Sequence, residues 1–147
     1  MSRVPERDGN AVVLRWKRHA ASVGLARLEL GKALAGWGLS ALEDSAVLVL
    51  SELVTNAVRH AHVPPGREIE TRFLMVPGGL RLEVHDASSD RPQRRGADPE
   101  GCGGRGLVLV EALADRWGVG ERHGVGKLVW ATLLSASGPD GGGRHER

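Results

Sequence analysis

Hydrophobic and polar positions along the chain switch between two periods, and the switches mark the elements. The stretch Asn10 to Trp16, reading NAVVLRW, is short and rich in β-branched residues, which predicts a first strand. From Ala20 to about Gly36, Val23, Leu30 and Leu34, with Ala26, Leu28 and Ala33 between them, recur at helical spacing, so a helix should end near Gly36-Trp37-Gly38. Ser40-Ala41-Leu42-Glu43 has the form of a capping box, in which hydroxyl and carboxylate satisfy the open N–H groups of a first turn. A second helix is therefore expected from Ser40 to about Ala61, with Leu42, Ala46, Val49, Leu50, Leu53 and Ala57 on one stripe and Val63-Pro64-Pro65-Gly66 ending it.

The period then changes to two. Glu68 to Val76 and Leu80 to Asp86, joined at Pro77-Gly78-Gly79, read as a β-hairpin. In its second arm Leu80, Leu82 and Val84 alternate with Arg81, Glu83 and His85, which puts Asp86 on the apolar face and His85 on the solvent side. Residues 87 to 105 contain Pro92, Pro99, several glycines and the cluster Arg91, Arg94 and Arg95 without periodicity; a loop of that length in a small domain is usually functional. Leu107, Val110, Leu113, Ala114 and Trp117 describe a third helix packed through one face, and Val119 to Arg122 with Val125 to Leu134 read as two closing strands. Residues 1–9 and 135–147 fall outside the pattern and are expected to be disordered, leaving one domain over 10–134.

Composition narrows the class. At 147 residues the chain can bury one continuous core, and a single cysteine, Cys102, excludes an internal disulfide and any multi-cysteine zinc site. With no apolar run of membrane-spanning length, the expected setting is the cytoplasm. The isoelectric point of about 9.2 raises nucleic acid as a partner. Against it, the net charge is only +2, and one phenylalanine, four tryptophans and no tyrosine provide few stacking platforms.

Three features carry candidate chemistry, and each has a plain alternative. Glu52 and Asn56, four apart, project from the same side of the second helix, where a carboxylate and a carboxamide can position a nucleophile and a metal or simply form a solvated polar face. Asp86 lies at a strand end with inward parity; a buried acid needs a donor, which an adenine amino group or a backbone N–H of an Asx-turn supplies equally well. Gly101-Cys102-Gly103-Gly104-Arg105-Gly106 precedes a helix, so its backbone can approach a phosphate at the positive helix end, or it is a flexible loop leading into that helix. No Gly-Lys-Ser/Thr follows, so it is not a Walker A loop, and no strand precedes it, so it is not a dinucleotide fingerprint.

The order of these features resembles the Bergerat-fold (GHKL) ATPase/kinase superfamily, which includes DNA gyrase and the histidine kinases, and within it the small anti-sigma factor serine/threonine kinases. The resemblance runs from about Trp16 to Leu134. Ser51-Glu-Leu-Val-Thr-Asn-Ala-Val-Arg-His60 looks like the family's N-box, Asp86-Ala-Ser88 with Pro92 like its first glycine box, and Gly104-Arg-Gly-Leu-Val-Leu-Val110 like its second. The resemblance implies an α+β fold: a two-layer sandwich with a mixed, mostly antiparallel sheet and helices on one face. It implies ATP and Mg²⁺ as cofactors, with Glu52 as general base, Asn56 on the metal and Asp86 on the adenine amino group beside Ser88. Gly104, Arg105, Gly106 and Leu107 would wrap the phosphates, with 87–105 as a lid. Two positions depart from the family: Ser88 stands where the first box has glycine, and Gly126-Lys127-Leu128 lacks the threonine many members carry near the adenine.

Glu52 in a stand-alone domain points to an anti-sigma type serine/threonine kinase that phosphorylates an antagonist protein and also engages a sigma factor. His60 and His85 read as ordinary residues. The alternative is a non-catalytic nucleotide-binding or docking module acting by sequestration, motivated by Ser88 and the missing threonine; a third reading is a nucleic-acid regulator using Arg91, Arg94 and Arg95. Family resemblance also implies a homodimer, for which Val12 and Trp16 are the expected apolar contacts, and neither nucleic acid nor membrane as a direct partner.

Overall fold

The computed structural model describes residues 6–60, 68–86, 102–121 and 126–135. Their order is β1 (Glu6–Asp8), β2 (Ala11–Lys17), α1 (Ala21–Trp37), a single 3-10 turn (Ser40–Leu42), α2 (Glu43–His60), β3 (Glu68–Val76), β4 (Gly79–Asp86), α3 (Cys102–Leu113), β5 (Arg116–Glu121) and β6 (Lys127–Leu134). The six strands form one sheet in the order β1-β2-β3-β4-β6-β5, and every pairing is antiparallel. The expected mixed component is therefore missing among the described residues, while the α+β two-layer sandwich is as expected.

The sheet has a helix-covered and an open face because side chains alternate between the two faces along each strand. Val12, Leu14, Phe73, Ile69, Leu80, Leu82, Val84, Ala131 and Leu133 are buried. The register sets Phe73 against both Val12 and Leu82, and Leu82 against Ala131, so these residues share one face. Helices α1 and α2 lie on that face and pack on each other, and α3 packs on α2 and β5. Ala26, Leu30 and Leu34 from α1 and Ala46, Val49, Leu50, Leu53 and Val54 from α2 complete the core. Helix α1 stops where Gly38 adopts φ +73°: its N–H donates to Ala35 O and that of Leu39 to Leu34 O, the paired bonds of a left-handed helix stop that favours glycine.

Several boundaries differ from the sequence reading, each for a local reason. Within the N-terminal stretch expected to be disordered, Glu6–Asp8 pairs with the free edge of β2 across the turn at Gly9-Asn10. The capping box does not form. Residues 40–42 wind as a 3-10 turn with no side-chain cap, and Glu43 opens α2 with its carboxylate packed beside Gly31. Helix α3 begins at Cys102, so the backbone of Gly104-Arg105-Gly106 is helical rather than a preceding turn; packing of the Val110 face carries the helix through residues of low propensity. It ends at Leu113, and Trp117 belongs to β5, opposite Ala131, because an inward strand position after a tight turn mimics the next helical repeat. His85 is buried on the polar face instead of facing solvent. Val12 is buried in the core and Trp16 is partly buried against it, donating its Nε1–H to Thr71 Oγ1 at 2.9 Å, where the sequence reading expects surface apolar residues. Ser135, expected in the tail, donates its N–H to Gly78 O; the rest of that tail, 136–147, lies outside the described residues.

Candidate functional site

Helix α2 brings the first two candidates. Its buried stripe of Val49, Leu50, Leu53, Val54 and Ala57 faces the sheet and α1, which leaves Glu52 and Asn56 half-buried together on an adjoining side, one turn apart. Residue Ala57 then contacts the site directly. Its carbonyl oxygen accepts a hydrogen bond of 2.8 Å from Nη1 of Arg18, in the connection between β2 and α1.

The same guanidinium reaches the end of β4. Arg18 Nη2 donates to Asp86 Oδ1 at 2.9 Å, with side-chain exposures of 10% for Arg18 and 2% for Asp86. Asp86 is as buried as its strand parity predicts, and the donor it needs is an arginine 68 positions upstream. One planar group thus joins β4, the C-terminal half of α2 and the β2–α1 connection. Sequence reasoning foresaw that Asp86 must accept a bond but assigned it to a turn or a ligand. Arg18 was missed because a basic residue just past a strand reads as solvated, and only the fold makes the 68-residue pairing visible.

Lys127 is the cross-strand neighbour of Asp86 on β6, in the segment where the threonine was sought. Helix α3 supplies the glycine-rich end: Cys102 opens it, Gly104, Arg105 and Gly106 follow within its first turns, and Leu107 is half-buried. Since α3 packs on α2, the glycine helix and the helix bearing Glu52 and Asn56 are neighbours. Ser88, residues 87–101 of the proposed lid and the cluster Arg91, Arg94 and Arg95 lie outside the described residues.

The polar face of the sheet holds a second ionic system. Glu83 pairs with Arg81 Nε at 2.8 Å and accepts a 2.8 Å bond from His85 Nε2. The His85 bond, reinforced by Arg81, holds the Glu83 carboxyl down from an ordinary 4.5 to about 2, although burial pushes it up. Arg81 also lies over the Trp130 ring, 4.5 Å from its centroid, and that ring is seated against Gly118, where a Cβ would come within 3.0 Å of it. Glu70 bridges Arg15 and Arg72 one strand away.

The fold is a two-layer antiparallel sandwich in which Arg18 links the buried strand-end Asp86 to the helix that bears Glu52 and Asn56, and the comparison with known families gives its class. The model of the histidine kinase-like ATPase domain matches residues 17–133, and the chain belongs to that family. It is an ATP-binding domain of the GHKL type. No curated protein matches the chain significantly.

The donor chemistry fits the group the family binds. Asp86 is a buried acceptor, and Arg18 Nε is a buried donor with no hydrogen-bond partner among the described residues. No cluster of three or more His, Cys, Asp or Glu that would hold a metal by itself occurs among the described residues. No helix among the described residues is long and apolar enough to cross a membrane.

Proposed function

We propose that the protein is a regulatory serine/threonine kinase of the anti-sigma type, transferring the terminal phosphoryl group of ATP to a hydroxyl of an antagonist protein. One observation carries the reading: Arg18 fastens Asp86 to Ala57, the residue after Asn56, so the base-reading acid and the amide-bearing helix form one unit. Asn56 would hold Mg²⁺, which when bound neutralises phosphate charge. Asp86 accepts the adenine amino group, with Ser88 alongside. Gly104, Arg105, Gly106 and Leu107 would meet the phosphates from the first turns of α3, whose positive end favours an anion. Glu52 accepts the proton of the incoming hydroxyl, and positioning contributes most of the rate, since phosphoryl transfer needs little covalent help from the protein. A sigma factor is the second partner in this reading, the setting is the cytoplasm, and the chain acts as a homodimer.

Incubation with γ-labelled ATP, Mg²⁺ and candidate antagonist proteins tests it. Transfer to a serine or threonine that Glu52→Ala abolishes, with ATP binding retained, is the expected result; native-level transfer by Glu52→Ala removes the base from the scheme. A second reading is supported by Gly126-Lys127-Leu128, the segment beside Asp86 on β6, which offers a lysine and no threonine. There the domain binds nucleotide and partner without transfer, and tight Mg²⁺·ATP binding with no phosphorylated product distinguishes it.

A further inference from the structure

We propose that Arg18 is a positioning residue of the nucleotide site that sets base selectivity through Asp86. The inference rests on the reading that Asp86 receives the adenine amino group, and it adds a residue from outside the three motif segments. Arg18 is nine-tenths buried, and its two terminal nitrogens are committed to Asp86 Oδ1 and Ala57 O. A planar fork held at two points fixes the plane of the carboxylate relative to α2, which a single flexible ammonium does not do. As the anionic half of an ion pair, Asp86 accepts hydrogen bonds and so selects a base edge that donates.

The third nitrogen points to a ligand. Nε of Arg18 is buried and lacks a partner among the described residues, which leave the guanidinium incompletely satisfied. A purine edge carrying an amino group next to a ring nitrogen presents a donor beside an acceptor, the complement of a carboxylate beside an N–H. Binding of such an edge satisfies Nε and uses Asp86 together. A base with no amino group at that place leaves the carboxylate facing a carbon–hydrogen edge, which a site built on buried polar groups rejects strongly.

The test is calorimetric titration of the native chain, Arg18→Lys, Arg18→Gln and Asp86→Asn with ATP and with purine riboside triphosphate, which lacks the amino group, alongside thermal melts without nucleotide. The native chain should prefer ATP by about 100-fold, and both Arg18 variants should bind ATP about 10-fold more weakly with the preference reduced to a few-fold. Arg18→Lys keeps the charge and serves if Arg18→Gln fails to fold. Native selectivity in a folded Arg18 variant, with only the melting temperature lowered, makes Arg18 a purely structural clamp and overturns the inference. Tighter ATP binding also overturns it, since the guanidinium would then compete with the base. If the native chain binds no ATP, or Asp86→Asn binds it as the native chain does, the nucleotide reading itself falls and this inference with it.

Discussion

Strand β4 carries a carboxylate on each face, and the two are held in opposite ways. Glu83, on the polar face, is paired with Arg81 and His85, each two residues away on the same strand. Asp86, on the helix-covered face, is paired with Arg18 across 68 positions of sequence, and that arginine also holds α2. The outer system stitches one strand to itself and adds a ring contact to Trp130. The inner pair links three elements and is nearly buried, with side-chain exposures of 10% for Arg18 and 2% for Asp86. Local charge networks on a sheet surface adjust stability, whereas a long-range buried pair decides where functional groups sit.

The comparison can be broken in graded steps. Asp86→Ala leaves the Arg18 guanidinium buried without its anion, so denaturant unfolding should show a loss of about 3–5 kcal/mol, and calorimetry should show ATP affinity falling by roughly 100-fold. Leu82→Ala, on the same face but away from the site, should cost about 3 kcal/mol through the cavity it leaves under α2, with ATP affinity in the folded fraction unchanged. The contrast between these two separates site from scaffold.

On the outer face the effects shrink. Because the folded Glu83 carboxyl sits below its unfolded value, its contribution is complete above pH 4.5 and disappears as pH falls from there through about 2. Glu83→Gln should therefore lose at most about 3 kcal/mol near neutrality and flatten the acid limb of a stability profile between roughly pH 5 and 2. An unchanged acid limb in the variant would show that the His85 bond is not formed in solution. Arg81→Met should be mildest, about 1 kcal/mol from a partly exposed ion pair and a ring contact, measured by chemical denaturation with nucleotide binding unaffected.

Much of this architecture was legible from period alone. The hairpin β3–β4, the α2 stripe and the inward parity of Asp86 follow from alternation that a buried face imposes, and the structure keeps each of them. The differences occur where local signals compete. Ser40 and Glu43 satisfy the capping pattern, yet α1 ends in a left-handed glycine stop only two residues earlier, and the chain turns as a 3-10 segment before α2 begins. Gly104 and Gly106 carry poor helix propensity, yet α3 includes them because packing on α2 outweighs it. Neither outcome is contained in a window of a few residues.

The site shows the same division. The placement of the candidates Glu52 and Asn56 on α2 and of Asp86 on the covered face of β4 is readable, because the periodicity fixes it. Arg18 is not, since its role depends on β2 and β4 lying on either side of β3 and on α2 passing above their ends. Parity alone points His85 to solvent, but Glu83 beside it and the neighbouring strands β3 and β6 bury it.

The central claim is that Asn56 on α2 and Asp86 at the end of β4 serve one nucleotide. It is tested most directly by titrating ATP, with and without Mg²⁺, into the native chain and into Asn56→Ala. The native chain should bind ATP more tightly when Mg²⁺ is present, and Asn56→Ala should bind equally weakly in both conditions. Identical Mg²⁺ dependence in the two proteins would place the metal and its phosphates elsewhere and contradict the account.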